Sequence, residues 1–296
     1  MAIGRVTQNM MVRSSMAAIE TNASRLAESQ ERLSTGRKLN RPSDSPTDTI
    51  AAMRVRAEKA ELAQHTRNAE DGLGWLNQLD GAFSSITTQV RRARDLALQG
   101  ANEGMSSAAA REALAVEVDQ LRESLKSAAN TQYLGRPVFG GVTAGSQAYD
   151  ANGDWIGEAG AVNRTIGNGV VIAVNVNGPD VFGVDGASLF DELESLSNSL
   201  RAGDSTGIRG SIDALNAREQ KIVTTHADVG IRAGRLEGVL TQATSSELTL
   251  TARLSDLEDA DLIKSAIDVK LQEVAYQSAL ASSSRILSVS LLDYLR

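Results

Sequence analysis

The chain has 296 residues, no cysteine, two histidines and a formal net charge of −7. Without cysteine there are no disulfides or thiolate metal sites, two histidines leave little material for nucleophile–base chemistry, and an acidic balance argues against a general nucleic-acid binder, which needs a basic face. Hydrophobic residues make up 42% of the chain but aromatics only 3%, so the apolar content is chiefly Ala, Leu, Val and Ile interleaved with Ser, Gln, Glu and Arg, a composition suited to long helices packed side by side.

In the first arm, Val12, Met16, Ile19, Ala23, Leu26 and Leu33 recur at heptad spacing, with Gln30 in the remaining slot. Such a seam needs a partner helix. Gly36 is a stop signal, and 38–44 reads as a loop. The next helix has a sharp local start: Ser45 is the expected N-cap, Pro46 takes the first helical position and Asp48 favours the helix dipole. From Thr47 the helical pattern runs to about Asn102, roughly 84 Å if unbroken at ~1.5 Å per residue. Gly72 and Gly74 are candidate bends, and the clearest seam is Leu76, Leu79, Phe83, Ile86, Val90 and Ala93.

A polar turn at 101–107 leads to a second heptad run, Leu114, Val118, Leu121, Leu125 and Ala128, which predicts an antiparallel helical hairpin. After Asn130 the pattern changes to glycines, β-branched residues and turn pairs. Asn152-Gly153 between Tyr149 and Trp155 is a hairpin signal, and the run 169–176 is the best strand candidate. Helical patterning returns at Ser188 with Leu189, Leu193, Leu196 and Leu200, resumes through Ile212 and Leu215, and ends in a helix carrying Leu250, Leu254, Leu257, Ile263, Ile267, Leu271, Val274, Leu287, Leu291 and Leu292.

The expected fold is mainly α with a small β insert: an N-terminal helical arm and hairpin over 1–136, a β-rich domain over 137–186, and a C-terminal helical segment over 187–296 that packs with the N-terminal one as a long antiparallel bundle. Charge is uneven along it. Residues 1–60 carry ten Lys/Arg against six Asp/Glu, and 137–206 carry two against nine, so a basic arm and an acidic middle could order subunits against one another, a solvated surface being the blander reading.

No arrangement of residues points to catalysis. His65 and His226 lie far apart in polar helical contexts and in no metal spacing. The stretch 166–171 has G-x-G without a third glycine or a following helix, and the carboxylates of 256–261 lack EF-hand spacing. The N-terminus has no apolar run of signal-peptide length, and no stretch reads as a membrane span. No cofactor, metal or catalytic residue is expected. The terminal seams are different, because a helix near a chain end can pair with neighbouring molecules, and such heterologous contacts build open helical assemblies.

At RLSTGRKLNRPSDSPTD (32–48) the sequence resembles the flagellar axial proteins, which share L-S-[ST]-G-[KR] followed by an Asn and an Asp-containing loop. The resemblance extends through 66–83 and 90–102 and resumes at 230–239, 254–265 and the C-terminal tail, about three-quarters of the chain. Within that group it is similar to the hook–filament junction family: Pro42-Ser43-Asp44 then Pro46 looks like P-S-D-D-P, with Ser45 in place of the second Asp; 129–141 looks like a family segment with Pro137 where an aromatic is usual; and 275–296 resembles its S-L-[FL]-D-Y-L ending.

The resemblance implies a non-enzymatic adaptor, exported without a cleaved signal through the flagellar type III apparatus to the extracellular flagellum. It also implies partners: further copies in a ring or tube, hook-associated protein 1, flagellin and an export chaperone. The expected assembly residues are Val12, Met16, Ile19, Leu26 and Leu33 on the N-terminal arm, with Ile263, Ile267, Leu271, Val274, Leu287, Leu291 and Leu292 on the C-terminal arm. Alternatives are a short flagellin, a binding module on coiled-coil legs, and a cytosolic coiled-coil scaffold.

Overall fold

The computed structural model describes residues 8–102 and 107–294, and side chains within 10–102 and 107–285. Among them are seven α-helices and two small antiparallel sheets in the order α1 (Gln8–Thr35), α2 (Pro46–Gly100), α3 (Ala108–Ala129), β1 (Gln132–Tyr133), β2 (Arg136–Pro137), β3 (Asn163–Gly167), β4 (Val170–Ala173), α4 (Gly178–Phe182), α5 (Leu189–Ala202), α6 (Ser205–Glu258) and α7 (Leu262–Tyr294). Contacts group the chain into two units: the chain ends, 1–60 with 246–296, and the middle, 61–245.

The helix starts follow from local chemistry. The Ser45 hydroxyl accepts from the Asp48 amide at 3.4 Å and donates to its carboxylate at 2.9 Å, with Pro46 as first helical residue, where a missing N–H costs nothing. Ser188 and Asp191 form a reciprocal capping box at α5, and Gly203 in the left-handed region ends that helix. Ser107 caps α3.

In the middle unit the seam expected on α2 is the core: Leu76, Leu79, Phe83, Ile86, Val90 and Ala93 are all fully buried. It meets a seven-residue repeat on α6 at Ile208, Leu215, Ile222, Val229, Leu236 and Ala243, each buried. The alternate heptad position holds Ile212, Glu219, His226, Ala233 and Leu240. Its two polar members are partnered across the helix pair: Glu219 takes Arg91 at 2.6 Å and Arg94 at 2.7 Å, and His226 takes Asp80 at 2.7 Å. These pairs run in opposite senses along the two helices, so they are antiparallel. Helices α3 and α5 pack on one another, burying Leu114, Val118 and Leu125 with Leu189, Leu193, Leu196 and Leu200. Gly72 and Gly74 do not interrupt α2. An added Cβ at Gly72 would come within 3.0 Å of Val174, and one at Gly74 within 2.5 Å of the Tyr133 hydroxyl, so these glycines admit neighbouring chain.

The insert is held by side chains more than by strands. β3 and β4 pair over a few residues with an irregularity between Thr165 and Gly167. Around them, the amide of Asn130 accepts from the N–H groups of Ala148 and Tyr149 and donates to the Tyr149 carbonyl, and the buried Asn175 accepts from Val162 and donates to Gly160. Buried main-chain groups are thereby satisfied without a ladder. The Asn152-Gly153 turn closes a Tyr149–Trp155 antiparallel bridge, with the Asp150 carboxylate accepting from the amides of Asn152, Gly153 and Asp154. The few aromatics are concentrated here. Phe83, Phe139, Phe182, Tyr149 and Phe190 form a continuous run of ring contacts at 5.2–5.5 Å, so scarce rings still build the core where helices and insert meet.

Candidate assembly surface

Within the chain-end unit, α1 and α7 form an antiparallel pair, tied where one ends and the other begins. Arg37 bridges Asp259, the Lys38 amide donates to the Glu258 carbonyl at 2.8 Å, and the Ala260 amide donates to the Gly36 carbonyl at 2.8 Å. Gly36 has φ +68°, a value that suits glycine. The following loop closes on Asp44, whose carboxylate accepts from the amides of Asn40 at 3.0 Å and Arg41 at 2.9 Å. Those two backbone donors, Arg41 first, hold its pKa below the ordinary carboxylate value.

The two faces of α7 differ in chemistry. Ser265, Val269, Gln272, Tyr276, Ala279 and Ser283 recur in steps of four and three and are half-buried or buried in the pair with α1. Ile263, Ile267, Leu271 and Val274 lie around the helix from them and are 61–77% exposed. Thus the larger aliphatics face away from the helix's own partner. Each would contribute about 1.5–3 kcal/mol on full burial, a gain the lone chain does not collect.

The N-terminal seam is placed differently. Val12, Ile19, Leu26 and Leu33 are half-buried in the pair with α7, and Met16 remains exposed. Leu33 and Ile19 therefore already have apolar cover within one copy, where neighbours were expected to supply it. The reason is that a heptad seam accepts any facing helix, and the tie at Gly36 and Asp259 brings α7 back along α1. The side chains of Leu287, Leu291 and Leu292 lie outside the described residues.

The histidines are not brought together. His226 joins Asp80 and the α2–α6 seam, and His65 approaches Glu61 one helical turn away at 3.5 Å. Among the described residues no three His, Cys, Asp or Glu groups are gathered as metal ligands, and no helix is long and apolar enough to cross a membrane. What the surface offers chemically is an exposed aliphatic stripe and a polar loop closed by hydrogen bonds to Asp44.

The bacterial flagellin N-terminal helical region matches residues 6–144. Flagellar hook-associated protein 3 of Escherichia coli is 22% identical over 314 residues, spanning 98% of this chain and 99% of that protein. The chain is a homologue of flagellar hook-associated protein 3. The flagellin of Bacillus subtilis is 23% identical over 291 residues, 94% of each chain. In fold, the flagellar junction protein from Legionella pneumophila matches with a TM-score of 0.58 at 14% identity, covering 71% of this chain and all of that one. The likeness to hook-associated protein 3 takes in both chain ends, and so both helices of the pair that carries the exposed stripe.

Proposed function

We propose that this chain is a structural adaptor of the bacterial flagellum, placed between a hook-side hook-associated protein and the flagellin filament. The observation that carries the reading is the two-sidedness of α7. One α1 covers one face, and the aliphatic face of Ile263, Ile267, Leu271 and Val274 is left for another copy. A contact between unlike faces of identical subunits repeats from copy to copy and generates a ring or tube. Full-length likeness to hook-associated protein 3 supports the junction position.

In this reading the chain works without catalysis, is exported to the flagellum, and is held before export by a chaperone. Its copies then order against one another, against hook-associated protein 1 and against flagellin. The near-equal likeness to a flagellin of similar length favours a second reading, a short filament subunit. Labelling the protein on detached flagella and viewing them by electron microscopy separates the two. A single band at the distal end of the hook supports the junction role, and label along the whole filament overturns it in favour of the second.

A further inference from the structure

The chain-end unit contains a groove beneath the loop that follows α1. Its walls include Leu39 and Met53, and three guanidinium groups, Arg37, Arg41 and Arg56, line it. The one carboxylate among its lining residues is Glu258, which is only 5% exposed and is taken by Arg56 at 2.7 Å. Arg37 has no ion pair among the described residues, and Arg41 keeps its contact with Glu31 while 66% of its side chain stays exposed. The groove therefore holds two cations that no buried anion neutralises, beside the exposed apolar side chain of Met53.

The middle unit contains the opposite surface. An open groove along α5 is lined by Asp191, Glu194 and Asp204, with small or uncharged residues between them; Arg122, outside the lining, takes Glu194 at 2.7 Å, while Asp191 and Asp204 have no ion pair among the described residues. The acidic field extends to the neighbouring turn, where Asp154 stands near Asp150, Asp185 and Asp191. Desolvation, and then those three like charges, hold its carboxyl above the ordinary value. Each groove is lined by residues of its own unit alone.

We propose that the arginine groove of one copy receives the acidic α5 edge of a second copy. This rests on the assembly reading above and deepens it by naming a second pair of contacting faces. Charge complementarity selects the occupant: the first sixty residues carry ten cations against six anions, and 137–206 carry two against nine. Two unlike patches on one chain meet repeatedly between copies, so the contact is heterologous like that of the α7 stripe. Opposite charges steer the docking and set its register, while the aliphatic stripe supplies most of the affinity. An acidic segment of a different flagellar protein is the competing occupant.

Because the chain has no cysteine, single cysteines report the contact cleanly. Met53→Cys lies in the arginine groove and Ala202→Cys on the acidic edge, and neither changes a charge. The two full-length variants are mixed under assembling conditions and treated with a short bis-maleimide. The expected result is a covalent dimer that joins the two variants, forms in the mixture and not with either variant alone, and falls several-fold in high salt or when Arg37→Glu and Arg41→Glu are added to the Met53→Cys chain. Absence of the mixed dimer, or a yield indifferent to salt and to those reversals, overturns the proposal. Sedimentation of the same samples separates the failures: pelleting assemblies without the mixed dimer sink this contact alone, whereas no assembly in any sample sinks the underlying reading with it.

Discussion

The imidazole of His226 lies against the ring of Phe83, centroids 5.3 Å apart and 13° from parallel, while its Nε2 sits 2.7 Å from an Asp80 carboxylate oxygen. A polar residue is thus placed in an apolar heptad slot of α6 by stacking on one side and hydrogen bonding on the other. His226→Ala should cost about 1–2 kcal/mol, from the lost ring contact and the lost hydrogen bond. Asp80 is largely exposed, so Asp80→Asn should cost under about 1 kcal/mol. Urea midpoints at unchanged slope measure both. Equal losses would mean that the hydrogen bond, not the stack, holds the histidine.

Tyr149 is 1% exposed and its hydroxyl has no hydrogen-bond partner among the described residues. Tyr149→Phe removes an orphaned polar atom and keeps the ring contacts with Phe182 and Phe190, so stability should be unchanged or rise by up to about 1 kcal/mol. A loss larger than that would reveal a partner for the hydroxyl.

The same residue fixes an alkaline limit. Burial first, then the Asp185 charge, push the phenol's pKa up. Above the ordinary tyrosine value of about 10 the unfolded chain releases this proton and the folded chain keeps it, so stability falls as pH rises toward the folded value. Thermal melts of the native chain should show that decline, and Tyr149→Phe should lessen it. Identical alkaline slopes would contradict the assignment.

Asp154 carries the opposite lesson on the surface. Its carboxyl is held above the ordinary value, so folding disfavours its anion, and stability is lost as pH rises through that value. Asp154→Asn should therefore melt at a higher temperature than the native chain at pH 7, and the two melts should converge in acid where the native carboxyl is protonated. A lower melting temperature at pH 7 would show that the anion has a partner that stabilises it.

How much of this was legible beforehand depends on the range of the interaction. The start of α2 could be read because Ser45, Pro46 and Asp48 act within one turn, and its core seam because Leu76 through Ala93 keep a strict period. The matching repeat on α6 was harder to see. The polar residues Glu219 and His226 interrupt its apolar pattern, and their suitability depends on Phe83, Asp80, Arg91 and Arg94 on another helix. The aromatic cluster was hidden for a similar reason, since Phe83, Phe139 and Phe190 are far apart in the chain. On the terminal arms the periodicity showed seams without their partners. Only the folded chain shows Ile19 and Leu33 covered within one copy and Ile267 and Leu271 left outside.

The central claim is that the outward face of α7 binds other copies, and the double variant Leu271→Asp, Val274→Asp tests it most directly. Both residues are more than 60% exposed, so the charges should leave helix content and the melting temperature nearly unchanged. In cells carrying only this variant, hooks should form and filaments should fail to attach. Normal filaments on those hooks, with the variant present at the junction, would contradict the account.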